Sequence, residues 1–153
     1  MRNQTKNIIT MTILVTSMFA TEFQLKSVQR GHKILTFTPQ EINIESKDGF
    51  TRLTTPEKGS TVDEGMPELP VFTSFFQMDA GISYSVSYTV VSSHVIEDVA
   101  IYPYQGNPVI GVERPFLKNI NFYDTNTNYP ETKVPVSEPM IMRDIEVSLI
   151  SLT

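Results

Sequence analysis

Six residues, Gly65-Met66-Pro67-Glu68-Leu69-Pro70, constrain the 153-residue chain more than any other stretch. Each proline fixes φ and lacks a backbone N–H, so neither Pro67 nor Pro70 can donate to a sheet ladder. Proline also drives the residue before it towards extended conformations. The segment is therefore a stiff, extended lead-in with a permissive hinge at Gly65. It feeds Val71-Phe72-Thr73-Ser74-Phe75-Phe76-Gln77-Met78, a strand pattern with Phe72, Phe76 and Met78 on one face.

Composition supports β-structure around this segment. Ten prolines, nine phenylalanines and six tyrosines, with many Val, Ile, Thr and Ser, favour strands and turns over helices. Length suits one domain with a single core. The net charge is −5 and only 19% of residues are charged. Lys and Arg are scattered singly, which argues against a nucleic-acid partner, since phosphate binding needs clustered cations. There is no cysteine. The chain can therefore form no disulfide, thiolate metal site or cysteine nucleophile of its own.

In chain order, residues 1–20 have the form of a secretory signal peptide. Arg2 and Lys6 precede an uncharged, mostly apolar run from Ile8 to Ala20 that is too short to span a bilayer. Export to the periplasm, cell surface or exterior is expected, with no stable membrane span after cleavage. The β domain then occupies residues 21–153. Thr21–Lys33 is polar and reads as a loose lead, and Ile34–Phe37 as a short strand. Ile42 and Ile44 alternate with polar residues before Asp48-Gly49, so 41–54 reads as a hairpin. Ile82, Tyr84, Val86, Tyr88 and Val90 alternate with Ser83, Ser85, Ser87 and Thr89, the pattern of a strand with one buried face. Val99–Tyr102 follows as a further strand. Gln105–Val136 is a long, proline- and aromatic-rich loop, with a short strand near Phe122; loops of that length are often functional. Arg143 and Asp144, an expected edge ion pair, lead into a final strand with Ile145, Val147 and Leu149 on one face and Ile150 and Leu152 on the other. An apolar run ending at Thr153 without a turn reads as a truncation.

The chemistry of catalysis is hard to find. His94 follows Ser92-Ser93 in a turn, but neighbours on a turn rarely face one another and no orienting acid is evident. Asp124-Thr125-Asn126-Thr127-Asn128 mimics the start of a calcium loop, yet Tyr129 and Pro135 stand where the glycine and bidentate glutamate belong. No catalytic residue, metal site or cofactor is expected. Tyr84 and Tyr88 read as core aromatics, whereas Tyr123 and Tyr129 are the better candidates for an exposed carbohydrate platform.

Three collinear blocks resemble the N-terminal prodomain of gingipain-type, C25-family cysteine peptidases. Gly65–Pro70 with its strand is similar to the family's G-x-P-x-L-P. Val90-Val91-Ser92-Ser93-His94-Val95-Ile96-Glu97 runs into Val99–Pro103 and Gly106 as the second block. Ser137-Glu138-Pro139-Met140-Ile141-Met142-Arg143-Asp144-Ile145 is similar to S-x-P-x-x-x-R-D-[IV]. The likeness spans residues 65–150, and 21–64 agree only in general shape. It implies an all-β antiparallel sandwich, jelly-roll-like, lying against a caspase-like peptidase domain in cis or in trans. It also implies a non-catalytic role: keeping that peptidase latent, assisting its folding, and inserting a loop into its active-site cleft. The family's inhibitory arginine falls near Val109 or Ile110 by counting, and neither is basic. The nearest basic residues are Arg114 and Lys118, which become the expected inhibitory-loop residues. The rival expectation is a free-standing surface β-sandwich that binds carbohydrate or protein through its aromatic loop.

Overall fold

Short-range pairing builds most of the architecture. The computed structural model describes residues 22–153 except 40, 57, 58, 83 and 126, so the signal-peptide expectation lies outside the described residues. Among the described residues seven strands form three antiparallel sheets, with one turn of helix. The chain is all-β and antiparallel, as expected.

Strands β1 (Glu22–Gln29) and β2 (His32–Thr38) form the first hairpin, and β3 (Asn43–Lys47) and β4 (Phe50–Thr54) the second. The second turns through Asp48 at φ 50° and Gly49 at φ 81°. Two successive left-handed residues match the right-handed twist of the strands they join, which is why Asp-Gly signals a hairpin. The first hairpin corrects the reading of 21–33 as a loose lead. Its signal was modest: Phe23 and Leu25 alternate with Glu22 and Gln24. Backbone pairing does the rest, with Phe23 opposite Phe37 and Leu25 opposite Leu35.

The third sheet has the order β5 (Phe72–Gln77), β7 (Ile145–Leu152), β6 (Met140–Met142). Phe72, Ser74 and Phe76 lie opposite Leu152, Ile150 and Ser148, so these six residues share one face. Phe76, Met78 and Ile150 form the centre of the core, with Phe23, Leu35, Tyr84, Val134 and Val136 packed around them. The first hairpin joins this core through tilted ring contacts: the Phe23 centroid lies 4.8 Å from that of Phe37, and the Phe37 centroid 5.0 Å from that of Phe72. The single terminal strand expected over 141–152 is in fact a hairpin. Arg143 (φ 47°) and Asp144 (φ 67°) form its two-residue turn rather than an edge ion pair.

Three further expectations are corrected. Residues 84–90 form no strand, and Val86, Tyr88 and Val90 are exposed. Their alternation is that of a strand, but no described residue supplies a partner ladder. Tyr84 alone reaches the core, edge-on to Phe76 at 6.2 Å. Residues 99–102 likewise form no regular strand: Ile101 makes only an isolated parallel bridge to Thr51. Near Phe122 stands a helical turn, α1 (Ile120–Tyr123), capped by the Asn119 side chain, rather than a strand.

Gly65–Pro70 occupies the middle of these pieces. On one side Thr61 N–H donates to Leu69 O at 2.9 Å, and Val71 N–H to Gly59 O at 3.0 Å. The Thr61 hydroxyl donates to Pro67 O and accepts from Leu69 N–H, at 2.7 and 3.0 Å. On the other side Gly65 and Glu68 N–H donate to Tyr104 and Tyr102 O, and Tyr104 N–H returns to Met66 O, each at 2.8 Å. Gly65, Pro67, Pro70 and Pro103 are buried. The missing donors of the prolines thus sit where no donor is needed.

Two consequences can be measured. Gly65 has φ 78°, and a Cβ there would meet Asn119 N at 3.1 Å. Gly65→Ala is expected to cost about 1–2 kcal/mol for left-handed backbone alone, read as a lower urea midpoint. The second concerns Asp79, which ties the first hairpin to the end of β5. Its carboxylate accepts from the Tyr84 hydroxyl, from Gly31 N–H at 2.9 Å, and pairs with Lys33 at 3.4 Å. The Tyr84 hydrogen bond, then that of Gly31, pull its pKa from 3.8 to about 2. A carboxyl depressed on folding stabilises the native state above its unfolded pKa, and this contribution is lost as pH falls. Stability should drop between about pH 4 and pH 2, and the drop should flatten in Asp79→Asn. In Tyr84→Phe, carboxyl-detected NMR should place the Asp79 midpoint higher.

Candidate functional site

The long loop after Tyr104 is closed at its base by one glycine. Gly65 N–H donates to Tyr104 O at 2.8 Å, and Gly65 O accepts from Asn119 N–H at 2.9 Å. Residues 105–118 therefore leave and return at the same point.

A side-chain clasp reinforces that closure. The Gln105 amide donates to Pro103 O and Leu117 O, each at 2.8 Å, and its oxygen accepts from Leu117 N–H at 2.9 Å. One side chain thus imitates a strand's donor and acceptor pair across the loop neck. Above it the Arg114 guanidinium meets the Glu64 carboxylate at 3.3 Å. Both side chains are substantially exposed, 40% and 55%, so this pair adds orientation more than stability.

Below the neck lies an aromatic cluster. Phe50 of β4 has Phe116 at 5.7 Å, Tyr123 at 6.1 Å and Tyr102 at 6.2 Å between ring centroids. Lys118 Nζ sits 5.0 Å from the Tyr123 ring and 5.7 Å from Phe50. Lys47 Nζ covers the Tyr102 ring at 4.4 Å. Such cation–ring contacts contribute roughly 0.5–1 kcal/mol at exposed sites. The cluster anchors both arms of the loop to the second hairpin.

Arg114 and Lys118 are thus on one arm of the same loop, yet they do not converge. Arg114 is drawn to Glu64 and Lys118 lies across rings. Neither stands at the apex. The apex is a β-turn over Val109–Val112, closed by Val112 N–H to Val109 O at 3.2 Å. Gly111 takes its third position at φ 78°. The Ile110 side chain there is wholly exposed at 103%, with Val109 and Val112 about half exposed. Sequence reasoning reached this place by counting but sought a basic residue.

The two tyrosines considered for a carbohydrate platform are occupied. Tyr123 is half-buried, its hydroxyl donating to Ile101 O at 2.6 Å, and burial pushes its pKa up to about 12. Tyr129 donates to Asp63 Oδ2 at 2.8 Å; burial, then that hydrogen bond, raises its pKa. Of the two tyrosines expected in the core, Tyr84 packs against it partly buried, while Tyr88 is exposed. Ser92, Ser93 and His94 lie exposed in an irregular segment. Among the described residues no group of three or more His, Cys, Asp or Glu could hold a metal ion, and no helix is long and apolar enough to cross a membrane.

Comparison with known proteins fits this geometry. No curated protein matches the chain. A solved structure concerned with the zymogenic latency of gingipain K from Porphyromonas gingivalis superposes with a TM-score of 0.67 at 16% identity, covering 86% of this chain and 79% of that one. A complex of the Porphyromonas gingivalis RgpB pro- and mature domains gives a TM-score of 0.63 at 19% identity, covering 85% of this chain and 72% of that one. At these identities the likeness shows a shared fold. The family model described as Propeptide_C25 matches residues 15–153. The chain therefore belongs to the C25 propeptide family of gingipain-type cysteine peptidases, and is a propeptide region rather than a catalytic one.

Proposed function

We propose that this chain keeps a gingipain-like cysteine peptidase domain latent, in cis or in trans, by inserting the loop 105–118 into its active-site cleft, and that it assists the folding of that domain. The observation that carries this reading is the contrast within the loop. Its neck is fixed by Gly65, Gln105 and the ring cluster, while its distal arm from Asn107 to Glu113 is exposed. An inhibitory segment binds tightly when little ordering remains to be done on docking, and a fixed neck supplies that pre-organisation.

In this reading Arg114 and Lys118 belong to the inhibitory loop. Arg114 holds the returning arm against Glu64, and Lys118 fastens its end to Phe50 and Tyr123. The β domain of residues 21–153 is exported behind a signal peptide at 1–20, so that the peptidase reaches its destination inactive. The zymogenic latency of gingipain K and the pairing of RgpB pro- and mature domains support this reading by analogy.

The test is inhibition of the mature C25-type peptidase from the same organism by the purified chain. Peptide hydrolysis should fall to background at saturating chain. Full activity at saturation would overturn latency. Gln105→Ala should leave the thermal unfolding midpoint within a few degrees but weaken inhibition about tenfold, because Leu117 loses both partners at the loop neck. Equal inhibition by this variant would show that the neck need not be pre-organised.

A further inference from the structure

The apex of the loop is chemically unlike its base. No charged residue occurs between Asp98 and Glu113. Within that run the chain projects Val109, Ile110 and Val112, exposed by 49%, 103% and 55%. Turn geometry accounts for Gly111, which stands at φ 78°. It does not account for Ile110, since turns favour Gly, Pro, Asn, Asp and Ser. A fully exposed β-branched aliphatic at the tip of a pinned loop gains nothing for the fold.

We propose that Ile110 is the side chain presented to the peptidase, and that the pocket it enters is apolar and shaped for aliphatic residues, so that the partner cleaves after Ile, Val or Leu rather than after a basic residue. This rests on the loop-insertion reading above. The complementarity argument is direct. An acidic pocket filled by an isoleucine would leave a buried carboxylate without a cation, which strongly disfavours docking. An apolar pocket filled by the same side chain contributes roughly 1.5–3 kcal/mol, or about 10- to 100-fold in affinity. Isoleucine is also stiff at χ1, so it loses little rotamer freedom on docking. Arg114, the nearest guanidinium, is directed to Glu64 and does not compete for the apex.

The experiment uses the full chain, the mature C25-type peptidase from the same organism, and fluorogenic peptides with Ile, Val, Leu, Arg or Lys before the scissile bond. The peptidase should cleave the aliphatic peptides at least about tenfold faster than the basic ones. Ile110→Leu should inhibit within about threefold of the parent, while Ile110→Asp should weaken inhibition by about 100-fold or more, with an unchanged unfolding midpoint because the side chain is exposed. Tighter inhibition by Ile110→Arg, or cleavage confined to the basic peptides, would overturn the apolar pocket. Undiminished inhibition by Ile110→Asp would show that the apex does not dock, leaving latency itself intact. A parent chain that fails to inhibit at all would overturn both the latency reading and this inference.

Discussion

Gly65 bonds to both ends of the loop 105–118, and the rest of the site follows from that. Its N–H goes to Tyr104 O and its carbonyl receives Asn119 N–H. Closing a loop of this length in a flexible chain carries an entropic cost that grows only slowly with length, but it must be met by contacts at the neck. Here the neck is almost wholly polar: two backbone bonds to Gly65, one to Met66, and the Gln105 clasp. Pro67 and Pro70 make this possible by keeping 65–70 extended without offering donors that would need their own partners. The positive φ of Gly65 lets Asn119 approach to a distance that a Cβ would contest.

The domain accordingly has two centres with different roles. One is apolar and lies between β5, β7 and the first hairpin, around Phe76, Met78 and Ile150. The other is aromatic and cationic, around Phe50, Tyr102, Phe116 and Tyr123, with Lys47 and Lys118 above the rings. Gly65–Pro70 runs directly from the second centre into β5 of the first. The hydrophobic centre is non-directional and serves stability. The aromatic and hydrogen-bonded centre is directional and serves the geometry of the loop.

Local signals were legible where local chemistry decides. Asp48-Gly49 announced its hairpin, and the period-two spacing of Phe72 and Phe76 announced the core strand. Asn119, an N-cap residue type, was a fainter signal for the turn of helix at 120–123. Alternation misled at 82–90 because it reports which residues prefer to share a face, not whether another strand is there to pair with. Conversely β1 was missed because backbone pairing to β2 organises it more than its side-chain pattern does. The all-β antiparallel class survived these errors, since it depends on the number of short extended segments and not on any one of them.

The loop itself was visible in the sequence as a long stretch rich in glycine, proline and aromatics, but its internal order was not. Arg114 and Lys118 were singled out as the basic residues nearest the place where the family resemblance puts an inhibitory arginine. What sequence withholds is neutralisation at a distance: Glu64 lies 50 residues away and meets Arg114 at 3.3 Å. It also withholds elevation, since only the turn at Val109–Val112 raises Ile110 above its neighbours. The division of labour is then physical. Long cations with apolar stems suit the base, where rings and a carboxylate receive them. A short, stiff, uncharged side chain suits the apex, where it can enter a pocket without first shedding a tightly held hydration shell.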